Sequence, residues 1–437
     1  MNTIVLKPEG ITRAFNKDSV DALAAADSPW LAQHRLSAWE VYESLPLPTR
    51  HLEEWRYTDI SQFKLDKVQL AKPDWSEPPE AARALLDRGT TAGHCLSVNG
   101  GVVECSLDED ARRKGVLLMS LTTAAREHPE LIEKYLGSAL PASFSKFAAL
   151  NAALWFGGVF LYVPRGVRIE HPIRIARWVN DAGVAVFPRT LIVADEGSHV
   201  GVVEEFGSPD FKDATLSCAG VEVIAANNAD VQYVSMQMWG KGMRHIATQR
   251  TIAGRDSNVD TLVVNLGASV ARVDLAASLE GPGARSDMLG LYFAQGNQHF
   301  DHNTRQDHKV PHATSDLLYK GALYDKTRAI FRGIIKVFPK AQRTDAYQTN
   351  RNLLLSNQAE ATSLPNLEIE ADDVRCSHAA TVGHLDQEEL FYIMSRGVKR
   401  REAERLVIFG FFGEVLERLP IPHVVEELRA AIAERIG

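Results

Sequence analysis

From Phe156 to Leu367 the chain shows no long helical period. Short β-rich runs alternate there with small polar turns. The runs are Val159–Val163, Val167–Ala176, Thr190–Val193, Val200–Glu204, Val221–Ile224 and Val231–Met236, then Thr261–Leu266, Asp287–Phe293, Ser315–Leu323 and Ile330–Val337. The turns share a loose form, a small or charged pair before a β-branched residue, as in Glu196-Gly197-Ser198-His199-Val200, Ala229-Asp230-Val231 and Asp256-Ser257-Asn258-Val259. Period-2 strands repeating at an imperfect spacing of tens of residues predict coils stacked as a solenoid, each covering its neighbour's apolar face. A β-sandwich or jelly roll also supplies many short strands. Glycine-poor strands and the length of the run favour the mainly β reading, a parallel β-helix.

Both flanks read as helical. Ser28-Pro29 has the form of an N-cap followed by proline at the first helical position. Apolar residues recur from Trp30 to Leu45 until Leu45-Pro46-Leu47-Pro48 stops the helix. Leu70 to Pro79 reads as a loop, and further helices are expected over Glu80–Asp87 and Leu121–Leu136. At the other end, Asp386 with Glu389 forms a capping-box pattern for a helix ending at Gly397. A second helix is expected over Lys399–Arg418, with Ile408, Phe412, Val415 and Leu419 on one stripe. A third, Val424–Ile436, carries Val425, Leu428 and Ile432. These boundaries divide the chain into a helical region over 1–155, a β-helix over 156–380 and a helical domain over 381–437. The three C-terminal helices are expected to cap the solenoid's open end.

Charge and cysteine usage narrow the function. A net charge of −8 and a pI near 6.0 exclude a strongly basic nucleic-acid binder. Cys95, Cys105, Cys218 and Cys376 contain no C-x-x-C pair, so neither a zinc ribbon nor a ferredoxin-type cluster cradle is encoded. So few cysteines argue against a disulfide scaffold and fit a reducing compartment. Met1–Gly10 lacks a basic start followed by an apolar core. The most apolar stretch, Phe147–Val163, is interrupted by Asn151 and Gly157-Gly158 and is too short to span a bilayer. A soluble cytoplasmic protein, not bound to membrane, is expected.

Two clusters carry candidate chemistry. The first is His299-Phe300-Asp301-His302 with Asp307-His308 and His312. On a strand, His299 and Asp301 share one face and His302 points to the other, which splits the cluster and weakens a single-metal reading against a structural or interface role as a polar ladder on the solenoid face. The second is Cys376-Ser377-His378, where thiol and imidazole at i and i+2 share a face and can reach one iron or sulfur ligand. The plainer alternative is a small buried cysteine beside a hydrogen-bonded histidine. Two ligands do not complete a cluster site, so a partner would supply the rest. No G-x-x-x-x-G-K-[ST] loop, dinucleotide fingerprint or G-x-S-x-G elbow occurs.

Several stretches together resemble one family. Leu47-Pro48-Thr49-Arg50 with Glu54-Trp55-Arg56-Tyr57-Thr58, and Asn151 to Pro164, are similar to the N-terminal signatures of the SufB/SufD iron–sulfur cluster assembly proteins. The resemblance continues through His299–Asp301, His308, Pro311-His312 and Tyr319-Lys320-Gly321. It ends with Ala371 to His378, Leu390-Phe391-Tyr392 and Ser395-Arg396-Gly397, and so covers nearly the whole chain.

The resemblance implies a right-handed parallel β-helix with helical ends. It also implies a scaffold, not an enzyme, that works with a SufB-like paralogue and an ABC-type ATPase to build clusters and pass them to apo acceptor proteins. The missing P-loop fits, because ATP hydrolysis would belong to the partner. SufB-type chains carry a cysteine before their Pro-x-x-Glu segment, where this chain reads Ser356 to Pro365 without one. The Cys376–His378 run resembles the SufD type, in which the histidine matching His378 faces the partner's cysteine across the subunit interface. His378 is thus the expected iron ligand, and Cys376 the lesser candidate, for a transient iron–sulfur cluster shared with the partner. A homodimer is expected when the chain is alone. The rivals are a β-helix polysaccharide lyase or hydrolase, drafting Asp301 with Asp307 as paired carboxylates, and a pure protein-interaction solenoid.

Overall fold

The computed structural model describes residues 15–72, 77–418 and 421–436. The N-terminal start, Met1–Gly10, and the stripe residue Leu419 lie outside the described residues. From Arg189 onward the strands alternate between two sheets. The first sheet ends with Val270–Leu279, His299–His308, Arg328–Val337 and Glu360–Ile369. The second ends with Arg285–Ala294, Thr314–Leu323, Asp345–Leu354 and Arg375–His384. Neighbours are parallel and the register is unbroken: Val270 pairs with His299, His299 with Arg328, and Arg328 with Glu360. The fold is a parallel β-solenoid of about eight turns with helices at both ends.

The chain turns at or beside the polar segments read from the sequence, and at Asp325 as well. Gly197, Asn228, Asp256 and Asp325 have φ between 49° and 68°, left-handed backbone that glycine, asparagine and aspartate tolerate best. The period-2 pattern is imperfect because much of the solenoid is covered on both faces. Leu317 and Tyr319 face the lumen, while Leu318 and Ala322 on the same strand pack outward against helices.

Those helices differ from the expectation that they cap the open end. Gln387–Met394, Arg400–Glu417 and Pro422–Ile436 form close to the expected bounds. Asp386 caps the first by accepting from the backbone N–H groups of Glu388 and Glu389. The other two, however, lie along the outer face of the second sheet. Ile408, Phe412, Val415, Val424, Leu428 and Ile432 pack there against strand residues such as Val234, Leu262, Leu291 and Leu318. The apolar outer residues of the strands provide the area, and a solenoid end offers only the rim of one coil. Of the last strands, Glu360–Ile369 is therefore mostly half-buried and Arg375–His384 largely exposed, and each lacks a partner on one side.

The N-terminal region also departs from the helical reading. Gly93–Val98 and Gly101–Leu107 form an antiparallel hairpin, and Gly93–Val98 pairs in parallel with Ile173–Trp178. Leu117–Ser120 pairs antiparallel with Val159–Val163. Both sheets thus end in non-solenoid strands on that side. Cys95 and Cys105, opposite each other in the hairpin with Cα atoms 4.1 Å apart, are joined by a disulfide. Counting cysteines missed this link because antiparallel pairing, not a short spacing, brings them together. The helix expected over Leu121–Leu136 is two, Leu121–Glu127 and Pro129–Tyr135. Pro129 has no N–H for the first helix and instead starts the second. The helix expected over Glu80–Asp87 is confined to Glu80–Arg83.

Candidate functional site

The open end of the solenoid brings Cys376 and His378 to one face. In the parallel ladder Cys376 pairs with Ala346 and His378 with Gln348. Ala346 and Gln348 are buried residues of the preceding coil, and Cys376 packs beside Ala346, Val337 and Ala371. Residues two apart on a strand share a face, so His378 follows Cys376 on the lumen side. No later strand covers them, and His378 is exposed while Cys376 is half-buried. The geometry separates the two chemically. Burial, helped by the Asp345 carboxylate, pushes the Cys376 thiol above its ordinary pKa, so it resists forming the thiolate that binds metal. His378 stands free for a ligand from outside the chain.

Around this end the surface is apolar and open. Ile369 and Val382 on the two last strands are 42% and 44% exposed, and Phe391 and Tyr392 on the following helix are 73% and 58% exposed. Such a concentration of exposed apolar side chains marks an interaction surface. Pro365 lies mid-strand in Glu360–Ile369 and removes one donor from that edge. The edge of Arg375–His384 carries no proline.

The other histidine cluster is divided as the strand alternation requires. On the outer face the Thr58 hydroxyl donates to Asp301 Oδ2 at 2.5 Å, leaving its oxygen to accept from His299 Nε2 at 2.9 Å. Arg272 completes the set, its Nη1 lying 2.6 Å from Asp301 Oδ2 and its guanidinium 4.0 Å above the Trp55 ring. The segment Glu54–Thr58 is thus clasped to the solenoid. His302 points into the lumen, stacked on Tyr292 and 2.7 Å from Asn265 Nδ2. Among the described residues, no group of three or more His, Cys, Asp or Glu side chains converges to hold a metal ion. His299, Asp301 and His302 are thus engaged in contacts that join strands and the N-terminal segment. Sequence reading missed Thr58 and Arg272 as its partners because neither is near it in the chain.

Burial gives these histidines a pH signature. His299, His302 and His308 are each pushed down to about 4, and His245 to about 3, mainly because burial disfavours the charged ring. Their contribution to stability is fully present above the unfolded value of 6.5 and is lost as pH falls through about 4. Between these limits the unfolded chain binds more protons. Urea midpoints are therefore expected to drop steadily from pH 7 to pH 4, with unfolding at pH 5 taking up about one proton per buried histidine. A flat midpoint over this range would contradict the buried neutral rings.

The lyase reading fails on geometry. Asp301 and Asp307 are six residues apart on one strand, about 20 Å at the strand rise. Glycosidic carboxylate pairs stand within about 10 Å. Each is also engaged, Asp301 by Arg272 and Asp307 by Arg305 at 2.6 Å.

Comparison with known proteins agrees with the fold. Residues 177–411 match the model of the SUF system FeS cluster assembly SufBD core domain, and residues 12–175 match the SufBD protein N-terminal region. The chain is 30% identical over 418 residues to iron–sulfur cluster assembly SufBD family proteins of Staphylococcus haemolyticus, Staphylococcus epidermidis and Staphylococcus aureus strain USA300. Each alignment covers 93% of this chain and 90% of the relative. The two matched regions run in order along one continuous solenoid and its flanks, and the chain belongs to the SufBD family of iron–sulfur cluster assembly proteins.

Proposed function

We propose that the chain is a SufD-type scaffold subunit that presents His378 to a nascent iron–sulfur cluster shared with a SufB-like paralogue. One observation carries this reading: the solenoid ends in two strands with free edges, and the exposed His378 sits there beside the half-buried Cys376. A second chain docked on this end would pair the edge of Arg375–His384 and cover Ile369 and Val382. It would also bring its own ligands opposite His378. The cluster is cargo, assembled at the joint and released to acceptor proteins. A neutral imidazole binds iron through one nitrogen while the other is held by a hydrogen bond. Cys376, with its raised pKa, serves as packing first and ligand second.

The same edge suits a second copy of the chain. In the absence of the paralogue we expect a two-fold dimer through Leu353–His378. Light scattering of the isolated chain at micromolar concentration should give twice the mass of the 48.3 kDa monomer. A stable monomer would remove the edge-pairing argument.

The ATPase subunit is assigned to the C-terminal helices. Their buried stripe is already used on the solenoid, which leaves Phe391, Tyr392, Met394 and Leu406, the last 54% exposed, as exposed apolar side chains. Truncation after Gly397 removes Leu406 and the packing that supports the helix Gln387–Met394, while the solenoid strands remain. Pull-down by the ATPase is expected to be lost, with the β-rich circular dichroism signal kept. Retained binding would place the ATPase elsewhere. The function as a whole is tested by anaerobic co-expression with the paralogue and ATPase: iron and acid-labile sulfide should co-purify with the complex. A metal-free complex would favour the pure interaction solenoid.

A further inference from the structure

A cavity of about 420 Å³ lies between the outer face of the first sheet and the N-terminal region, reaching the strand Arg328–Val337 next to the last one. Its volume is within the range of small-molecule sites. Pro46, Pro48, Trp55, Phe144, Phe147 and Ile334 form apolar walls. Pro48 and Trp55 belong to the two N-terminal motifs singled out in the sequence, for which the cluster site has no use.

The floor is basic. Arg272, Arg305 and Arg332 all line the cavity, brought there by strands that are neighbours in one sheet. Their states differ. Arg272 is neutralised by Asp274 at 2.8 Å and Asp301 at 2.6 Å. Arg305 uses Nε on Asp307 and is 39% exposed, so the rest of its guanidinium is open to a ligand. Among the described residues, Arg332 forms an ion pair with Glu53 alone, a carboxylate that is itself 72% exposed, and its buried Nε and Nη1 have no hydrogen-bond partner there. Exposed pairing of this kind contributes little, and an unpaired buried guanidinium N–H is costly. Of the two carboxylates in the lining, Asp274 is engaged by Arg272 and Glu54 is exposed. Two arginines therefore have spare donors beside a mainly apolar chamber.

We propose that this cavity binds a small organic oxyanion, its carboxylate or phosphate head on Arg305 and Arg332 and its flat apolar body against Trp55, Phe144 and the two prolines. Guanidinium groups hold either head by charge-assisted hydrogen bonds, and aromatic faces favour a flat body.

Calorimetric titration of the full chain at low salt with benzoate, phenyl phosphate, inorganic phosphate and neutral benzamide tests this. At least one of benzoate and phenyl phosphate should bind about tenfold or more tighter than inorganic phosphate and benzamide. Whichever binds tighter identifies the head. Arg332→Gln and, separately, the more exposed Arg305→Gln should each weaken that binding about tenfold, and Arg305→Gln guards against a folding defect at the more buried Arg332. His378→Ala should leave it unchanged. Inorganic phosphate binding as well as phenyl phosphate would overturn the proposal. So would undetectable binding of both aromatic anions, or wild-type affinity in Arg305→Gln.

Discussion

Glu222→Ala is expected to lower the unfolding free energy by about 3–5 kcal/mol, the cost of leaving a buried charge without its partner. Glu222 is fully buried, and its carboxylate forms a close ion pair with the equally buried Arg189. Its two oxygens also accept the backbone N–H groups of Gly137 at 2.9 Å, Ala139 at 3.0 Å and Leu140 at 2.9 Å. Arg189 in turn donates to Asn151 Oδ1 at 3.1 Å, and Asn151 Nδ2 donates to the carbonyls of Pro188 and Cys218. One carboxylate thus ties the loop after Tyr135, the helix Lys146–Leu154 and the first solenoid coils into a single unit. Alanine leaves three N–H groups without their acceptor and the buried guanidinium without its counter-charge. Glu222→Gln keeps one acceptor oxygen but sets an N–H group toward other donors, so an intermediate loss is expected. Arg83→Ala, which breaks an exposed pair with Glu104 at 3.2 Å, should change stability by no more than about 1 kcal/mol. Urea denaturation followed by circular dichroism separates these cases, and a Glu222→Ala midpoint equal to wild type would contradict the network.

The solenoid was legible because its signal is local. Turn residues such as Asn228 and Asp256 mark each reversal, and short β-branched runs lie between them. What escaped depends on contacts distant in sequence. The strands Gly93–Val98 and Leu117–Ser120 are strands because a solenoid edge stands ready to pair with them, and nothing in their composition announces it. The placement of the C-terminal helices was missed for a similar reason. Their apolar stripes were visible, but the receiving surface is made of outer residues from several strands, such as Val234 and Leu291, which no single strand reveals. At the candidate site the alternation rule separated His302 from His299 and Asp301, and it put Cys376 and His378 on one face. Alternation does not say which strand comes last. Exposure of His378 follows from the end of the ladder, and that end is a property of the whole fold.

His378→Ala is expected to abolish most of the iron–sulfur content of the assembled complex while leaving assembly intact. His378 pairs only through its backbone, in the ladder with Gln348, and its exposed ring adds little packing, so alanine should not disturb folding. Cys376, whose thiol burial and Asp345 push above its ordinary pKa, is a poorer substitute for a lost iron ligand. Cys376→Ala should therefore be the milder change, removing a small side chain from the edge of the cluster formed by Ala346, Val337 and Ala371. The most direct measurement is iron, acid-labile sulfide and visible absorbance per complex, for wild type and both variants purified anaerobically with the paralogue and the ATPase. The account predicts a large loss of all three signals in His378→Ala and a smaller one in Cys376→Ala. Wild-type cluster content in His378→Ala, with the complex intact, would contradict it.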